Sequence, residues 1–214
     1  MKLKVLELFA GTRSISKAFE EKGHETFTVE WDKKHEKISL YADISKLTSK
    51  DIIDKFGYPD VIWASPDCTT YSIAGIRHHR KKKDDGTYER ISERAVFADE
   101  TNKNMLKIIK ELNPKYYFIE NPRGLLRKMD YMQEYPQYTV TYCQYGDFRM
   151  KPTDIWTNHP NPKFKPMCKN GDPCHEASPR GSNTGTQRLS KINRSRIPED
   201  LCKHIVNISE GDKK

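Results

Sequence analysis

Short apolar runs alternate with segments of helical spacing over roughly the first three quarters of the chain. Lys2 to Phe9 reads as a first β-strand, with Ala10-Gly11-Thr12 as the turn behind it. Ser14 to Lys22 puts Ile15, Ala18 and Phe19 on one helical face, and Gly23 is a natural stop. Thr26 to Glu30 reads as a second strand and Leu40 to Asp43 as a short strand or turn. Ser49 to Phe56 reads as a helix that Ser49 caps. Asp60 to Ala64 is a buried strand. Residues 93–112 form a long amphipathic helix, with Ala95, Met105, Leu106, Ile108, Ile109 and Leu112 inward. Tyr116 to Ile119, Tyr138 to Gln144 and Asp154 to Thr157 supply three more strands. Strands alternating with helices at this spacing predict an α/β fold with a doubly wound, mostly parallel sheet.

The periodicity ends near Asn158. From there to Leu189 Pro, Asn, Gly, Lys and Cys dominate, so 158–189 reads as a small irregular insert and 1–157 with 190–209 as the main domain. Arg196 to Leu201 opens a final helix through Ile208, with Pro198 early in it. Charged residues make up 32% and hydrophobic ones 35%, with a net charge of +8. Such a balance points to an anionic partner, nucleic acid first. No apolar stretch approaches the ~20 residues that span a membrane. The opening MKLKVLELFAG lacks a signal-peptide apolar region and cleavage site, and reads as a strand. Five cysteines without framework spacing imply a reducing, cytoplasmic setting in which each is free, catalytic or metal-bound.

Ser65-Pro66-Asp67-Cys68-Thr69-Thr70-Tyr71-Ser72 follows the run Val61 to Ala64. A thiol just past a buried strand lies at the sheet rim, where open α/β folds bind their ligands. Tyr117-Phe118-Ile119 likewise ends in Glu120-Asn121-Pro122, so two strand ends deliver a thiol and a carboxyl. The turn Phe9-Ala10-Gly11-Thr12-Arg13-Ser14 brings backbone amides to a helix N-terminus. Glu30, about 20 residues beyond it, stands where nucleotide-binding sheets hold ribose hydroxyls. Trp31 offers a flat face to an adenine ring, and Asp43, beside Ile44, an acceptor for its amino group. In this order they fit an adenosine-bearing cofactor.

Together these segments resemble the cytosine-carbon-5 DNA methyltransferases over roughly residues 3–157 and 194–208. FAGTRS is similar to their cofactor loop, Glu30-Trp31 and Asp43 to their ribose and adenine contacts, and SPDCTTYS to their Pro-Pro-Cys motif. ENP is similar to their Glu-Asn-Val motif, and Gln144 to Thr153 to a Tyr-Gly followed by Gln-Arg-Arg at alternate positions. The resemblance implies a class I methyltransferase sheet, S-adenosylmethionine held also by Ser65 and Pro66, and double-stranded DNA as partner. It implies a flipped-out cytosine attacked at carbon 6 by Cys68, with Glu120 on ring nitrogen 3 and the exocyclic amine. Asn121 would hold the strand-end backbone that aims Glu120. The enzyme is expected to work as a monomer in a bacterial or phage-infected cell, in restriction-modification. The alternatives are transfer of a carboxy-bearing group from a related cofactor, RNA cytosine methylation, or a catalytically silent DNA-binding relative.

Three positions depart from the family pattern. Asp67 replaces a proline, and a carboxylate beside a thiol opposes its ionisation. Arg13 replaces a glycine and could clamp a cofactor carboxylate, hold a phosphate or lie on the surface. Lys151 and Thr153 replace two arginines, so Arg149 or Lys151 is expected to take over the contact to the base's carbonyl oxygen. The run Arg77 to Gly86 reads as a mobile lid over phosphates, against the plainer reading of a solvated charge run. In the insert, Cys168, Cys174 and His175 could form a structural zinc knuckle, with His159 upstream or Cys202 downstream as a fourth ligand. Arg180 to Arg188, basic and rich in Gly and Ser, could read groove edges and phosphates.

Overall fold

A computed structural model of the protein describes residues 1–177 and 189–211. The strands are β1 (Lys4–Leu8), β2 (Glu25–Glu30), β3 (Leu40–Tyr41), β4 (Val61–Ala64), β5 (Arg80–Lys82), β6 (Tyr88–Arg90), β7 (Tyr116–Pro122), β8 (Gln137–Thr141) and β9 (Pro152–Thr157). The helices are α1 (Ser14–Glu21), α2 (Ser49–Phe56), α3 (Ile76–His79), α4 (Glu93–Leu112), α5 (Lys191–Ser195) and α6 (Glu199–Glu210). Seven strands form one sheet in the order β3-β2-β1-β4-β7-β9-β8. Pairing is parallel from β3 to β7 and antiparallel across β7–β9 and β8–β9. The doubly wound, mostly parallel sheet expected from the pattern is the one observed.

Alternation along β1 divides the core. Leu6 and Leu8 face α2 and α4, in a cluster with Ile52, Ile62, Met105 and Ile109. Val5 points to the other side, in a cluster with Ile15, Phe19, Trp63, Leu201 and Ile205, where α6 returns onto α1. Glu7 shares that second side and is buried, accepting the backbone N–H of Ser16 at 2.8 Å under the first turn of α1. The strand order reverses between β1 and β4, and the helices after them go to opposite faces. A crevice therefore opens at the C-terminal ends of these two strands.

Several boundaries move for local reasons. Thr48, not Ser49, caps α2, in a reciprocal capping box with Asp51. β7 runs three residues beyond Ile119, because β9 pairs with Glu120, Asn121 and Pro122. β8 stops at Thr141, and Tyr142–Tyr145 forms a 3₁₀ turn. The charge run after Cys68 is α3 and the two-stranded β5–β6 hairpin, ordered rather than featureless. Lys81, Lys82 and Lys83 are exposed on it, but Arg80 is buried. The Arg80 guanidinium pairs with Asp99 at 2.7 Å, lies 4.4 Å over the Tyr71 ring and donates to the Thr70 carbonyl. No helix among the described residues is long and apolar enough to cross a membrane.

Candidate active site

The expected cofactor residues converge because β3, β2, β1 and β4 are successive neighbours, so their C-terminal ends form one rim. Phe9-Ser14 leaves β1, Glu30-Trp31 ends β2, Asp43-Ile44 follows β3, and Ser65-Pro66 follows β4. Phe9, Gly11 and Arg13 all take positive φ (58°, 47° and 57°), which curls the turn tightly. Glu30 holds that turn in place. Its carboxylate accepts from Gly11 N at 3.0 Å, Trp31 N at 2.9 Å and Asp32 N at 3.0 Å. Three of about four acceptor positions are then filled, leaving room for about one hydroxyl donor. Asp43 accepts from Ser45 N and Oγ, and Ile44 is buried behind it. Trp31 is 70% exposed while Trp63 and Trp156 are each 1% exposed, so one bare indole face stands at the rim. Such a face beside a carboxylate and a turn of amides fits an adenosine moiety. Arg13 runs along α1 and pairs with Glu20.

Cys68 and Glu120 come from the ends of adjacent parallel strands, β4 and β7. Asn121 ties the two. Its Nδ2 donates to the Pro66 carbonyl at 2.9 Å, so it braces the thiol loop rather than the backbone of its own strand. The loop is fixed from below as well. Tyr71 N and Ser72 N donate to the Cys68 carbonyl, and Leu125 N donates to the Tyr71 carbonyl at 2.8 Å. Gly124 makes that approach feasible, since a Cβ there would lie 2.5 Å from the Tyr71 oxygen. The Tyr71 hydroxyl, buried, donates to Asp99 at 2.7 Å and accepts from Asn102 at 2.9 Å.

Asp67 is turned off the thiol. Its Oδ1 accepts from Thr69 N and Oγ1, and its Oδ2 pairs with Arg94 of α4 at 2.7 Å. Partial burial pushes the Asp67 carboxyl up, but the bonds from Thr69 and Arg94 outweigh it and hold it below the usual range. Burial, then the carboxylates of Asp67 and Glu120, push the Cys68 thiol above its ordinary value. The Lys151 ammonium acts in the opposite sense on Cys68. Burial pulls Lys151 itself down, against the pull of Glu120. Lys151 stands 4.3 Å over the Tyr142 ring, and the Tyr142 hydroxyl donates to Glu120 at 2.8 Å.

Arg149 is placed differently. It folds back onto Asp147 as a buried ion pair and lines a cleft of about 650 Å³ bounded also by Phe148, Arg196 and Asp200. Neither Cys68 nor Glu120 borders that cleft.

In the insert Cys168, Cys174 and His175 do meet, and the fourth member is Cys143 from the turn after β8. The two other candidates lie elsewhere. His159 packs tilted against the Tyr116 ring and its Nε2 donates to the Ile208 carbonyl, while Cys202 is buried on α6 against α1. Arg180 to Arg188 lies outside the described residues. Sequence reasoning missed Cys143, Tyr142 and Arg94. The only signal for Cys143 was the count of five cysteines, and Arg94 carries none, since it lies 27 residues from its partner.

A parallel sheet with an adenosine-shaped rim beside a thiol and a carboxyl defines a class I methyltransferase fold. A methyltransferase structure from Entamoeba histolytica has that fold, with TM-score 0.51 and 13% identity over 80% of this chain and 55% of that one. A family model for C-5 cytosine-specific DNA methylases matches residues 3–148, and the chain belongs to that family. It is 30% identical to a probable DNA (cytosine-5)-methyltransferase of Frog virus 3, covering 73% of this chain and 71% of the viral protein. It is 31% identical to the type II methyltransferase M.BsuFI of Bacillus subtilis, over 59% of this chain and 28% of that protein. The chain thus spans less than a third of that bacterial relative and about half of the Entamoeba protein. The family's reaction moves a methyl group from S-adenosylmethionine to carbon 5 of cytosine in DNA.

Proposed function

We propose that this chain is a DNA cytosine-5 methyltransferase in which Cys68 is the nucleophile and Glu120 the base-holding acid. The observation that carries this is the brace between them: thiol loop and carboxyl strand are locked by Asn121 on the Pro66 carbonyl. S-adenosylmethionine, when bound along the rim of Phe9-Ser14, Glu30-Trp31, Asp43-Ile44 and Ser65-Pro66, would supply an electrophilic methyl group.

Carbon 5 of cytosine is a poor nucleophile. Addition of the Cys68 thiolate to carbon 6 forms the S–C6 bond and moves the ring's electron pair toward carbon 5. Glu120 donates to ring nitrogen 3 and accepts from the exocyclic amine, and Tyr142 holds its carboxyl in position. Lys151 favours the thiolate and replaces the missing arginine at the base's carbonyl oxygen, a task for which Arg149 is turned away. Carbon 5 then takes the methyl group. Loss of the carbon-5 proton to water, return of the nitrogen-3 proton to Glu120 and breakage of the S–C6 bond restore the ring and release the thiolate. The base must leave the stack to reach this rim.

Net charge +8 and the lysines of the β5–β6 hairpin beside the thiol loop support duplex DNA as the partner. Arg13, already paired with Glu20, gives no support to a carboxy-bearing cofactor. We take the enzyme to act as a monomer in the cytoplasm of a bacterial or phage-infected cell, within restriction-modification. Incubation of mixed-sequence duplex DNA with methyl-labelled S-adenosylmethionine tests the reading. Label should appear in 5-methylcytosine with wild type and not with Cys68→Ser. Tight duplex binding with no transfer by wild type would refute it, as would transfer undiminished in Cys68→Ser.

A further inference from the structure

We infer that Cys143, Cys168, Cys174 and His175 form a tetrahedral zinc site that fastens the irregular insert to the loop carrying the active-site lysine. Their ligand atoms all lie within 4.8 Å of one another. A tetrahedral zinc ion with Zn–S of about 2.3 Å and Zn–N of about 2.05 Å requires S···S edges of about 3.8 Å and S···N edges of about 3.6 Å. Cys143 and Cys174 are 3.6 Å apart, and His175 Nδ1 is 3.6 Å from Cys174 and 3.7 Å from Cys168. Of these four edges Cys143–Cys168, at 2.9 Å, must open by about 0.9 Å. Three thiols and an imidazole exclude hard cations such as magnesium and calcium, and favour zinc.

A second observation concerns the insert itself. Between residues 158 and 177 there is neither helix nor strand, yet the segment is seated. Cys168 N donates to Thr141 Oγ1, and Glu176 N to the Phe148 carbonyl. Cys143 and Cys168 are 7% and 5% exposed. A coreless segment of this kind needs a staple, and a metal provides one. The staple is also placed to matter. Cys143 immediately follows Tyr142, the partner of Glu120, and Tyr142 N closes its loop on the Met150 carbonyl at 2.9 Å. The ion would thus set both the insert and the loop from Tyr142 to Lys151 in one position relative to the thiol.

The test is metal content, measured by mass spectrometry on protein purified from zinc-supplemented culture without chelator. We expect one zinc per chain, retained in Cys68→Ser and lost in Cys143→Ser and in Cys174→Ser. Cys174 is exposed, so its variant keeps the core intact. Cobalt replacement should give the thiolate charge-transfer and intense d–d bands of a tetrahedral sulfur-rich site. Chelation should speed proteolysis within 158–177. Metal-free protein with five titratable thiols overturns the inference. So does a Cys143–Cys168 disulfide, zinc retained in both cysteine variants, or an unchanged cleavage pattern. None of these readouts involves methyl transfer, so the zinc site and the assignment of Cys68 stand or fall separately.

Discussion

Removing Arg94 should make Cys68 harder to ionise, although the two residues do not touch. Arg94 lies on Asp67, and Asp67 is next to the thiol. Arg94→Ala would leave the carboxylate with its Thr69 bonds but without a counter-charge. The charge lost is the Arg94 cation, and a unit charge at roughly 8–10 Å interacts by about 2 kcal/mol at an effective dielectric of 20. Both side chains of the pair are half exposed, 52% for Arg94 and 48% for Asp67, so solvent screening reduces the effect to about 1 kcal/mol. That corresponds to a rise of somewhat under one pH unit in the thiol's titration, or roughly fivefold less thiolate at neutral pH. The assay is the rate of Cys68 alkylation by iodoacetamide, followed by peptide mass between about pH 6 and pH 10. Arg94→Ala should move the midpoint up, Asp67→Asn should move it down, and the two shifts should largely offset each other in the double variant. High salt should shrink the Arg94→Ala shift. If Arg94→Ala leaves the midpoint unmoved at low salt, the pair does not act on the thiol and the reasoning fails.

The Glu7 carboxyl is pushed by burial from its ordinary value to about 7. The native state then holds a proton that the unfolded chain releases, so stability should fall as pH rises from about 4.5 to about 7, by at most ~3 kcal/mol. Urea midpoints of Glu7→Gln should lack that slope, and parallel curves for the two proteins would contradict it. Tyr142→Phe removes a buried hydrogen bond to Glu120 worth about 1–3 kcal/mol, so kcat should drop roughly five- to a hundredfold with duplex affinity unchanged. An unaltered kcat would remove Tyr142 from the site. Arg80→Met leaves buried Asp99 with only the half-exposed Arg90 guanidinium at 3.9 Å, at a cost of up to about 3–5 kcal/mol, read as a Tm lower by up to roughly 6–20 °C. A change of a degree or two would mean the pair adds little.

The sheet was legible because β1, β4 and the middle of β7 are buried and read as apolar runs between helical segments, while β2 alternates polar with apolar residues. The rim followed from it: Glu30, Asp43 and Cys68 stand at or past strand ends, Glu120 stands just past the last β4–β7 pair, and neighbouring parallel strands bring such positions together. What the chain did not disclose depends on contacts distant in sequence. Arg80 lies inside a run of cations and is buried only because Asp99 and Tyr71 meet it from other elements. Arg149 and Lys151 are two residues apart, and their divergence is set by Asp147 on one side and by Glu120 and the Tyr142 ring on the other. Cys143 looked like part of a strand, because the turn at Tyr142 has no sequence marker before Gly146.

The unequal exposure of the three tryptophans makes the protein its own optical reporter. Trp63 and Trp156 are sealed in the core, so a collisional quencher such as acrylamide should reach Trp31 almost alone. The quencher-sensitive part of the emission therefore belongs to one indole, at the rim beside Glu30. A purine stacking there would both quench that indole and shield it. Binding of S-adenosylmethionine or its demethylated product could then be followed in real time without a label, and in Cys68→Ser, where no turnover would blur the equilibrium.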